Sequence, residues 1–269
     1  MNKTLRSTIF WILAFLLTAA SAIYQRMTGP TYPVNAQVKI ENAEVKAKLL
    51  TSSDNDLDPE LIVKSSDPSM KAKIRYKRFK SNDEWTERNM KQMGGGELSF
   101  YLPKQPAAGK LMYQITLIKG EKEALLTEEP VVIRFKGPVP SWVLIPHIIF
   151  MFLAMFLSMR TGIQALANGQ SLLAYTKWVM IFLLLGGLIL GPVIQKYAFG
   201  AYWTGWPLGH DLTDNKTIVA FLFWVIAYFR LRKNPNGRWW PLIAAFVTLA
   251  IYLIPHSVLG SEIDYTKAK

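Results

Sequence analysis

Long apolar runs separated by short polar segments are the feature that most restricts the fold of this chain. Of its 269 residues, 51% are hydrophobic, and they are concentrated in a few blocks instead of being spread evenly. Runs approaching about 20 apolar residues have the length that crosses a bilayer. The blocks are residues 9–24, 142–159, 178–194, 217–229 and 240–254. They predict a membrane protein with about five transmembrane helices, and its first partner is the lipid bilayer.

Basic residues are distributed unevenly among the segments that join these blocks. Residues 1–8, 160–177 and 230–238 contain Lys and Arg but no acidic residue, and all 19 acidic residues lie in other segments. Because basic segments stay on the cytoplasmic side, this asymmetry predicts a bacterial inner (cytoplasmic) membrane protein with an extracytoplasmic C-terminus. Since helix ends and strand faces account for the net charge of +12, no nucleic-acid partner is predicted.

The first apolar run has two interpretations. Lys3 and Arg6 precede it, and it ends in Ala20-Ser21-Ala22, an A-x-A pattern of the kind that signal peptidase cleaves. Residues 1–28 therefore form either a retained N-terminal transmembrane anchor or a cleaved signal peptide. Both interpretations carry the next segment across the membrane.

Residues 29–138 have short alternating patterns in place of long apolar runs. Val45, Ala47 and Leu49, for example, alternate with polar neighbours. A period of two, interrupted by glycine-rich turns, predicts seven or eight antiparallel strands, which in a domain of about 100 residues usually form a β-sandwich. We expect Trp85 to be a large core residue. The predicted fold class is an α+β membrane protein, with an extracytoplasmic antiparallel β-sandwich inserted between the first and second transmembrane helices.

Two parts of the chain resemble known groups of proteins. The run from Arg75-Tyr76 through Glu84-Trp85 to Leu102-Pro103, Gly109 and Tyr113 resembles fibronectin-III-like or immunoglobulin-like accessory modules of bacterial surface proteins. That resemblance implies a fold and nothing catalytic. The segments PHxxxMF, YWTGWPxGHDLTDNK and PHSxxGSExDY resemble bacterial integral membrane proteins of no established function. A protein partner that binds through the β-sandwich remains one interpretation.

The membrane half, residues 139–269, is predicted to contain four helices and a long outer loop at 197–216. The chain has only three histidines, and the predicted orientation places all of them on the outer side. His147 and His256 each follow the tripeptide Leu-Ile-Pro at the outer end of an apolar run, and His210 lies in the loop. Imidazole is the commonest nitrogen ligand of metals in proteins. The histidines therefore predict a candidate metal or haem site.

The candidate site includes residues around the histidines. Three imidazoles suit copper or zinc, and two at matched depth on facing helices suit a b-type haem. The candidate metal ligands are His147, His210, His256, Asp211 and Asp214, and the candidate cofactor-binding residues are Trp203 and Trp206. The structural alternative is that histidines cap helix ends, acidic residues cap the next helix or form an Asx turn, and tryptophans anchor the interface.

Other chemistry has little support in the sequence. The chain contains no cysteine, which excludes disulfides, thiolate metal ligands and covalently attached c-type haem. It also lacks a catalytic Ser-His-Asp spacing, a phosphate-binding glycine loop and an HExxH motif. Two functions remain open. One is a subunit of an electron-transfer or metal-handling assembly, and the other is a non-catalytic membrane anchor or assembly protein.

Overall fold

A computed structural model describes residues 2–256, 258 and 260–267. The contacts divide the chain into two compact units. Met1–Pro30 and Val139–Gly260 form the helical unit, and Thr31–Pro138 and Ser261–Lys269 form the strand unit. The structure confirms the coarse prediction: the chain combines antiparallel sheets with helices that are long and apolar enough to cross a membrane.

The helical unit is built from long apolar helices. The bounds are α1 Lys3–Thr28, α2 Ser141–Leu166, α3 Leu172–Phe182, a π-helical segment Leu183–Leu190, α4 Gly191–Phe199, α5 Leu212–Lys233 and α6 Trp239–Leu253. The α3, π and α4 segments form one continuous helix of 28 residues. Within the described residues, this helix and α1, α2 and α5 are the four long and apolar enough to cross a membrane, while α6 is shorter, with 15 residues.

The helices extend beyond the apolar runs that predict them. The third run, 178–194, lies inside the helix Leu172–Phe199, and the run 217–229 lies inside Leu212–Lys233. The extension of α5 has a local cause, since the carboxylate of Asp211 accepts a hydrogen bond from the Thr213 amide and caps the helix. Apolar patterns therefore locate the middle of these helices, and a side-chain cap determines where α5 begins.

Glycines in the π-helical segment allow its neighbours to approach. A Cβ atom on Gly187 would lie 2.6 Å from Cγ2 of Thr217 in α5, and one on Gly186 would lie 3.0 Å from Sδ of Met151 in α2. The same is not true of Gly191, whose Cβ atom would have only a backbone oxygen 3.6 Å away. Close packing of this segment therefore depends on the adjacent glycines Gly186 and Gly187.

The strand unit consists of two sheets. The bounds are β1 Val34–Ile40, β2 Ala43–Leu49, β3 Ser52–Asp54, β4 Glu60–Ser65, β5 Lys71–Arg78, β6 Thr86–Asn89, β7 Lys91–Gly94, β8 Glu97–Tyr101, β9 Lys110–Lys119, β10 Lys122–Leu125 and β11 Val131–Lys136. The first sheet has the order β1-β2-β4-β8-β7, and the second has β3-β11-β9-β5-β6 with β10 paired to β9. All pairs are antiparallel except β3 with β11, which is parallel. The sequence predicts seven or eight strands, and the described residues form more because several strands have only three or four residues.

One hydrophobic core lies between the two sheets. It combines Val45 and Leu98 from the first sheet with Ile74, Tyr113 and Ile133 from the second. The prediction that Trp85 is a core residue is wrong. Its ring is only half-buried, and the guanidinium of Arg75 lies 4.8 Å from its centroid. Trp85 lies just before β6 and packs on the outward-facing side of β5. Because it is outside a strand, the alternating pattern does not predict which side of the sheet its side chain is on.

The segment after α6 packs on the strand unit. The amide of Ile263 donates to the carbonyl of Ala108 at 3.1 Å, and the carboxylate of Glu262 pairs with Lys80 and Lys110. The guanidinium carbon of Arg78 lies 4.5 Å from the ring centroid of Tyr265. These contacts join residues that are more than 150 positions apart in the sequence, and the alternating pattern of the strands does not reveal them.

Candidate ligand cavity in the helical unit

A cavity of about 380 Å³ lies among α1, α2, α4 and the segment that ends α6. Its walls are mostly apolar and include Leu144, Ile148, Met151, Phe152 and Ile194. Among the described residues, its polar lining consists of Thr18, Gln25, His147, Tyr252 and His256. Pockets of roughly 300–1,000 Å³ with apolar walls and a few polar groups are typical of small-molecule sites.

His147 is held in one orientation by a backbone carbonyl. Its Nδ1 atom lies 2.9 Å from the carbonyl oxygen of Gly186 in the π-helical segment. The same oxygen accepts the amide of Gly191, five residues later, and a carbonyl oxygen has two lone pairs for these two donors. Because a carbonyl only accepts, the proton of the neutral ring is on Nδ1. Nε2 therefore carries a lone pair.

Two side chains from other helices bind the carbonyls at the end of α6. Nε2 of Gln25 in α1 lies 2.8 Å from the carbonyl oxygen of Tyr252 and 3.4 Å from that of Ile254. Nζ of Lys216 in α5 lies 2.8 Å from the Ile254 oxygen. The last carbonyls of a helix lack partners within it, so Gln25 and Lys216 satisfy groups that would otherwise be unpaired.

The remaining polar groups of the cavity also donate to the backbone. The Tyr252 hydroxyl donates to the carbonyl of Met151 at 2.9 Å, and the Thr18 hydroxyl donates to that of Ala14 at 2.8 Å. His256 lies just beyond α6 and also lines a much smaller adjoining cavity, which Lys216 lines as well. The polar groups of the site therefore come from α1, from α2 and from the end of α6.

The three histidines do not converge. His147 and His256 line the same cavity, but His210 is exposed and is not part of its lining. Across residues 2–256, 258 and 260–267, no group of three or more His, Asp or Glu side chains is arranged to hold a metal ion. The predicted metal centre is therefore not supported, since its loop histidine lies away from the other two.

The acidic pair predicted as metal ligands organises the loop itself. The carboxylate of Asp214 accepts the amides of Thr204 at 2.8 Å and of Gly205 at 2.9 Å. Asp211 caps α5 through the Thr213 amide at 2.8 Å. The structural alternative is therefore met in part: an acidic residue, Asp211, caps α5, whereas Asp214 binds amides of the preceding loop.

The two candidate cofactor tryptophans belong to the same loop and not to the cavity. Nε1 of Trp203 donates to the carbonyl of Trp206 at 3.1 Å, and the Trp206 side chain is 71% exposed. Between them, Gly205 has no room for a side chain, because a Cβ atom would lie 2.5 Å from Cβ of Asp214. In the described part of the chain, neither tryptophan lines the cavity around His147.

Sequence reasoning missed Thr18, Gln25 and Tyr252 of the cavity lining and Lys216 of the adjoining cavity. Gln25, Lys216 and Tyr252 lie at or near the ends of apolar runs, where polar residues are ordinary. One available signal was the position of Gln25 and Lys216 beside predicted outer helix ends, where buried carbonyls need donors. Their shared target at the end of α6 could be found only from the structure.

Neither a protein-family model nor a curated protein sequence matches this chain. The structure itself defines the class: a two-unit chain in which apolar helices surround a ligand-sized cavity and a two-sheet unit carries the chain's C-terminal segment.

Proposed function

We propose that this chain is an integral inner-membrane protein that binds a small, largely apolar ligand in the cavity around His147. The cavity is the observation that carries the proposal. It has the volume of a ligand pocket, mostly apolar walls and a few polar groups, of which His147 is held by the Gly186 carbonyl. A side chain that is fixed in advance loses little freedom when a ligand binds.

The proposed topology has five spans, with the strand unit, as a β-sandwich, and the C-terminus outside the cytoplasm. The acid-free basic segments 1–8 and 230–238 support this orientation. The third basic segment contributes less than the sequence suggests. Its Arg160 lies inside α2 and is buried, although Lys177 remains near the start of the next long helix.

The tail supports the same topology by a counting argument. Residues 261–267 pack on the strand unit, so both belong on one side of a membrane. The chain must then cross an even number of times between Pro138 and Ser261. The three long helices in that interval give an odd number, and α6 provides the fourth crossing. Its 15 residues span about 22 Å at a rise of 1.5 Å per residue. A short span of this kind is accommodated by local thinning of the bilayer.

The test is to identify any small molecule that stays bound to the protein when the protein is extracted from the membrane. The intact chain is purified in mild detergent and extracted with organic solvent, and the extract is examined by mass spectrometry. We expect one small molecule in stoichiometric amount, which is lost in His147→Phe. The matched control is His210→Phe, which makes the same replacement at an exposed loop histidine and should retain the molecule.

Three further results decide between this proposal and its competitors. A haem absorption spectrum, or copper or zinc in stoichiometric amount, would favour the redox or metal-handling function. An empty extract, together with no saturable binding of added 2-naphthol, would contradict ligand binding. A cytoplasm-specific reporter fused after residue 269 should be silent, and a strong signal would contradict the topology.

A second candidate is an assembly protein whose strand unit binds a partner. The observation in its favour is an open groove of about 550 Å³ in the first sheet, lined by Lys46, Lys48 and Lys64 around the exposed Ile62. A basic rim around an apolar centre suits an acidic protein surface. Reversing the charge of the three lysines should then abolish crosslinks between the chain and its partner, while any molecule bound at His147 remains.

A further inference from the structure

We infer that the ligand of this cavity is a neutral, largely apolar molecule that carries a hydroxyl group and donates its hydrogen bond to Nε2 of His147. The inference rests on the proposed function, because it names the class of molecule that the cavity binds. It follows from counting which hydrogen-bonding atoms of the lining are already used. Of the five polar side chains that the described part of the chain contributes to the lining, four have their donors occupied by backbone carbonyls.

His147 is the clearest case. Nδ1 bears the ring proton and donates it to the Gly186 carbonyl at 2.9 Å. Nε2 has no hydrogen-bond partner among the described residues, and on a neutral ring in this tautomer it can only accept. A ligand atom that meets this nitrogen must therefore be a donor.

Gln25 and the two hydroxyls of the lining have the same property. Both amide hydrogens of Gln25 have a carbonyl within reach, at Tyr252 and Ile254, which leaves its Oε1 as an acceptor. The hydroxyl hydrogens of Tyr252 and Thr18 are directed at the carbonyls of Met151 and Ala14. Each hydroxyl oxygen keeps only lone pairs for the cavity. These groups, like His147, offer acceptors to a ligand.

The remaining polar groups restrict the ligand's charge. Lys216 lies beside the cavity, in the wall of the smaller pocket that shares Gln25, Tyr252 and His256 with it. Its ammonium group opposes a second positive charge nearby, which disfavours an organic cation as the donor. His256 has no hydrogen-bond partner among the described residues, so either of its tautomers can adjust to the bound molecule. A neutral hydroxyl satisfies both conditions.

An acceptor-only ligand would lose the contact with His147 for the same reason. A quinone, an ester or an ether could accept a hydrogen bond from His256, but it would place lone pairs against Nε2 of His147 and leave that nitrogen without a partner. Leaving a buried polar group unpaired costs more than a hydrogen bond contributes on average. The cavity should therefore discriminate between molecules of the same shape that differ only in an O–H hydrogen.

The test compares 2-naphthol with 2-methoxynaphthalene, which keeps the same rings and replaces the hydroxyl hydrogen by a methyl group. Binding to the intact chain in lipid nanodiscs is measured by titration, with protein-free nanodiscs correcting for partition into lipid. We expect 2-naphthol to bind about 5- to 10-fold more tightly, which is the effect of one hydrogen bond. In His147→Phe this preference should disappear. His210→Phe, which makes the same replacement at an exposed loop histidine outside the cavity lining, should preserve it.

The outcomes separate the inference from the proposed function. Equal binding of both probes to the unaltered chain, each displacing the other, would overturn the inference and leave a ligand cavity without donor selection. Absence of saturable binding of either probe would overturn the proposed function itself. Stoichiometric zinc or copper that is lost in His147→Phe would also overturn the inference, because the Nε2 lone pair would then bind a metal. Since the first comparison uses the unaltered chain, it does not depend on the folding of a variant.

Discussion

Nζ of Lys216 lies 2.8 Å from the carbonyl oxygen of Ile254, and this hydrogen bond ties α5 to the end of α6. The lysine is 7% exposed, so its ammonium group donates to a backbone carbonyl in place of water at this position. We predict that Lys216→Met lowers the free energy of unfolding by about 1–3 kcal/mol, because the Ile254 carbonyl loses its best donor. Unfolding of the intact chain in mixed micelles measures the change.

The control for Lys216 is Lys196→Met. Lys196 also donates to a backbone carbonyl, that of Gly200 at 2.7 Å, but it is exposed. Its replacement should change the free energy of unfolding by no more than about 0.5 kcal/mol. Equal effects of the two substitutions would show that burial of the Lys216 hydrogen bond contributes nothing.

The loop before α5 depends on Asp214 and not on His210. We predict that Asp214→Ala accelerates hydrogen exchange at the Thr204 and Gly205 amides by about tenfold or more, because both lose a charged acceptor. His210→Ala should leave these rates unchanged, since its side chain is exposed. Exchange measured by mass spectrometry on peptides covering 200–211 tests both variants. Similar acceleration in the two would restore a structural role for the histidine.

Docking of the C-terminal segment should depend on pH through Glu262. Partial burial raises the pKa of this carboxyl, but hydrogen bonds from Lys110 and Lys80 outweigh burial and hold the pKa below its usual value of 4.5. A lowered pKa in the folded state means that the carboxylate stabilises docking fully above pH 4.5 and less as the pH falls through the lowered value. We predict that residues 261–267 resist carboxypeptidase at neutral pH and lose protection in acid.

Two variants test the assignment of this pH dependence to Glu262. Glu262→Gln removes the titrating group, so its tail should be more accessible at neutral pH and show little further change in acid. Glu129→Gln alters an exposed acidic residue of the same unit and should behave like the unaltered chain. A Glu262→Gln tail that still detaches only in acid would assign the transition to another group.

Arg160 is buried among aromatic rings. Its guanidinium carbon lies 5.0 Å from the ring centroid of Trp11 and 5.1 Å from that of Tyr175, and a nitrogen donates to Gln164 at 2.5 Å. We predict that Trp11→Leu costs about 1–2 kcal/mol of unfolding free energy, the range of a desolvated cation–π contact. In the background of Arg160→Met that cost should largely vanish, as a double-mutant cycle would show.

The matched tryptophan for this measurement is Trp142, which is 69% exposed. Trp142→Leu replaces the same ring without removing a buried cation–π contact and should cost less than Trp11→Leu. Additive effects of Trp11→Leu and Arg160→Met would contradict the proposed coupling.

The two sheets enclose Tyr113 and leave Trp85 half-buried. Tyr113 is fully buried, and its hydroxyl donates to the Leu50 carbonyl at 2.9 Å. We predict that Tyr113→Ala costs about 3–5 kcal/mol of unfolding free energy, as expected for removing a core aromatic ring, and that Trp85→Ala costs less. Thermal unfolding followed by circular dichroism of the strand signal compares them. A larger effect at Trp85 would mean that its ring completes the core.

The sequence by itself determined the features that depend on local pattern. Apolar runs indicated where helices form, because a long unbroken run is incompatible with an exposed surface. Alternation indicated strands, because neighbouring side chains of a strand face opposite sides. His147 and His256 were both candidate site residues because of their positions at the ends of apolar runs, and both line the cavity. The sequence predicted a metal or haem site there and did not predict the cavity.

Only the tertiary structure decided which polar groups meet. Gln25 and the Tyr252 carbonyl are 227 positions apart, and the π-helical carbonyl that orients His147 is 39 positions from it. No period links such residues, because their approach results from helix packing that glycines such as Gly186 permit. The loop histidine His210 was grouped with the other two by predicted side alone. Asp214 holds that loop by backbone amides instead, since a carboxylate binds the unpaired N–H groups nearest to it.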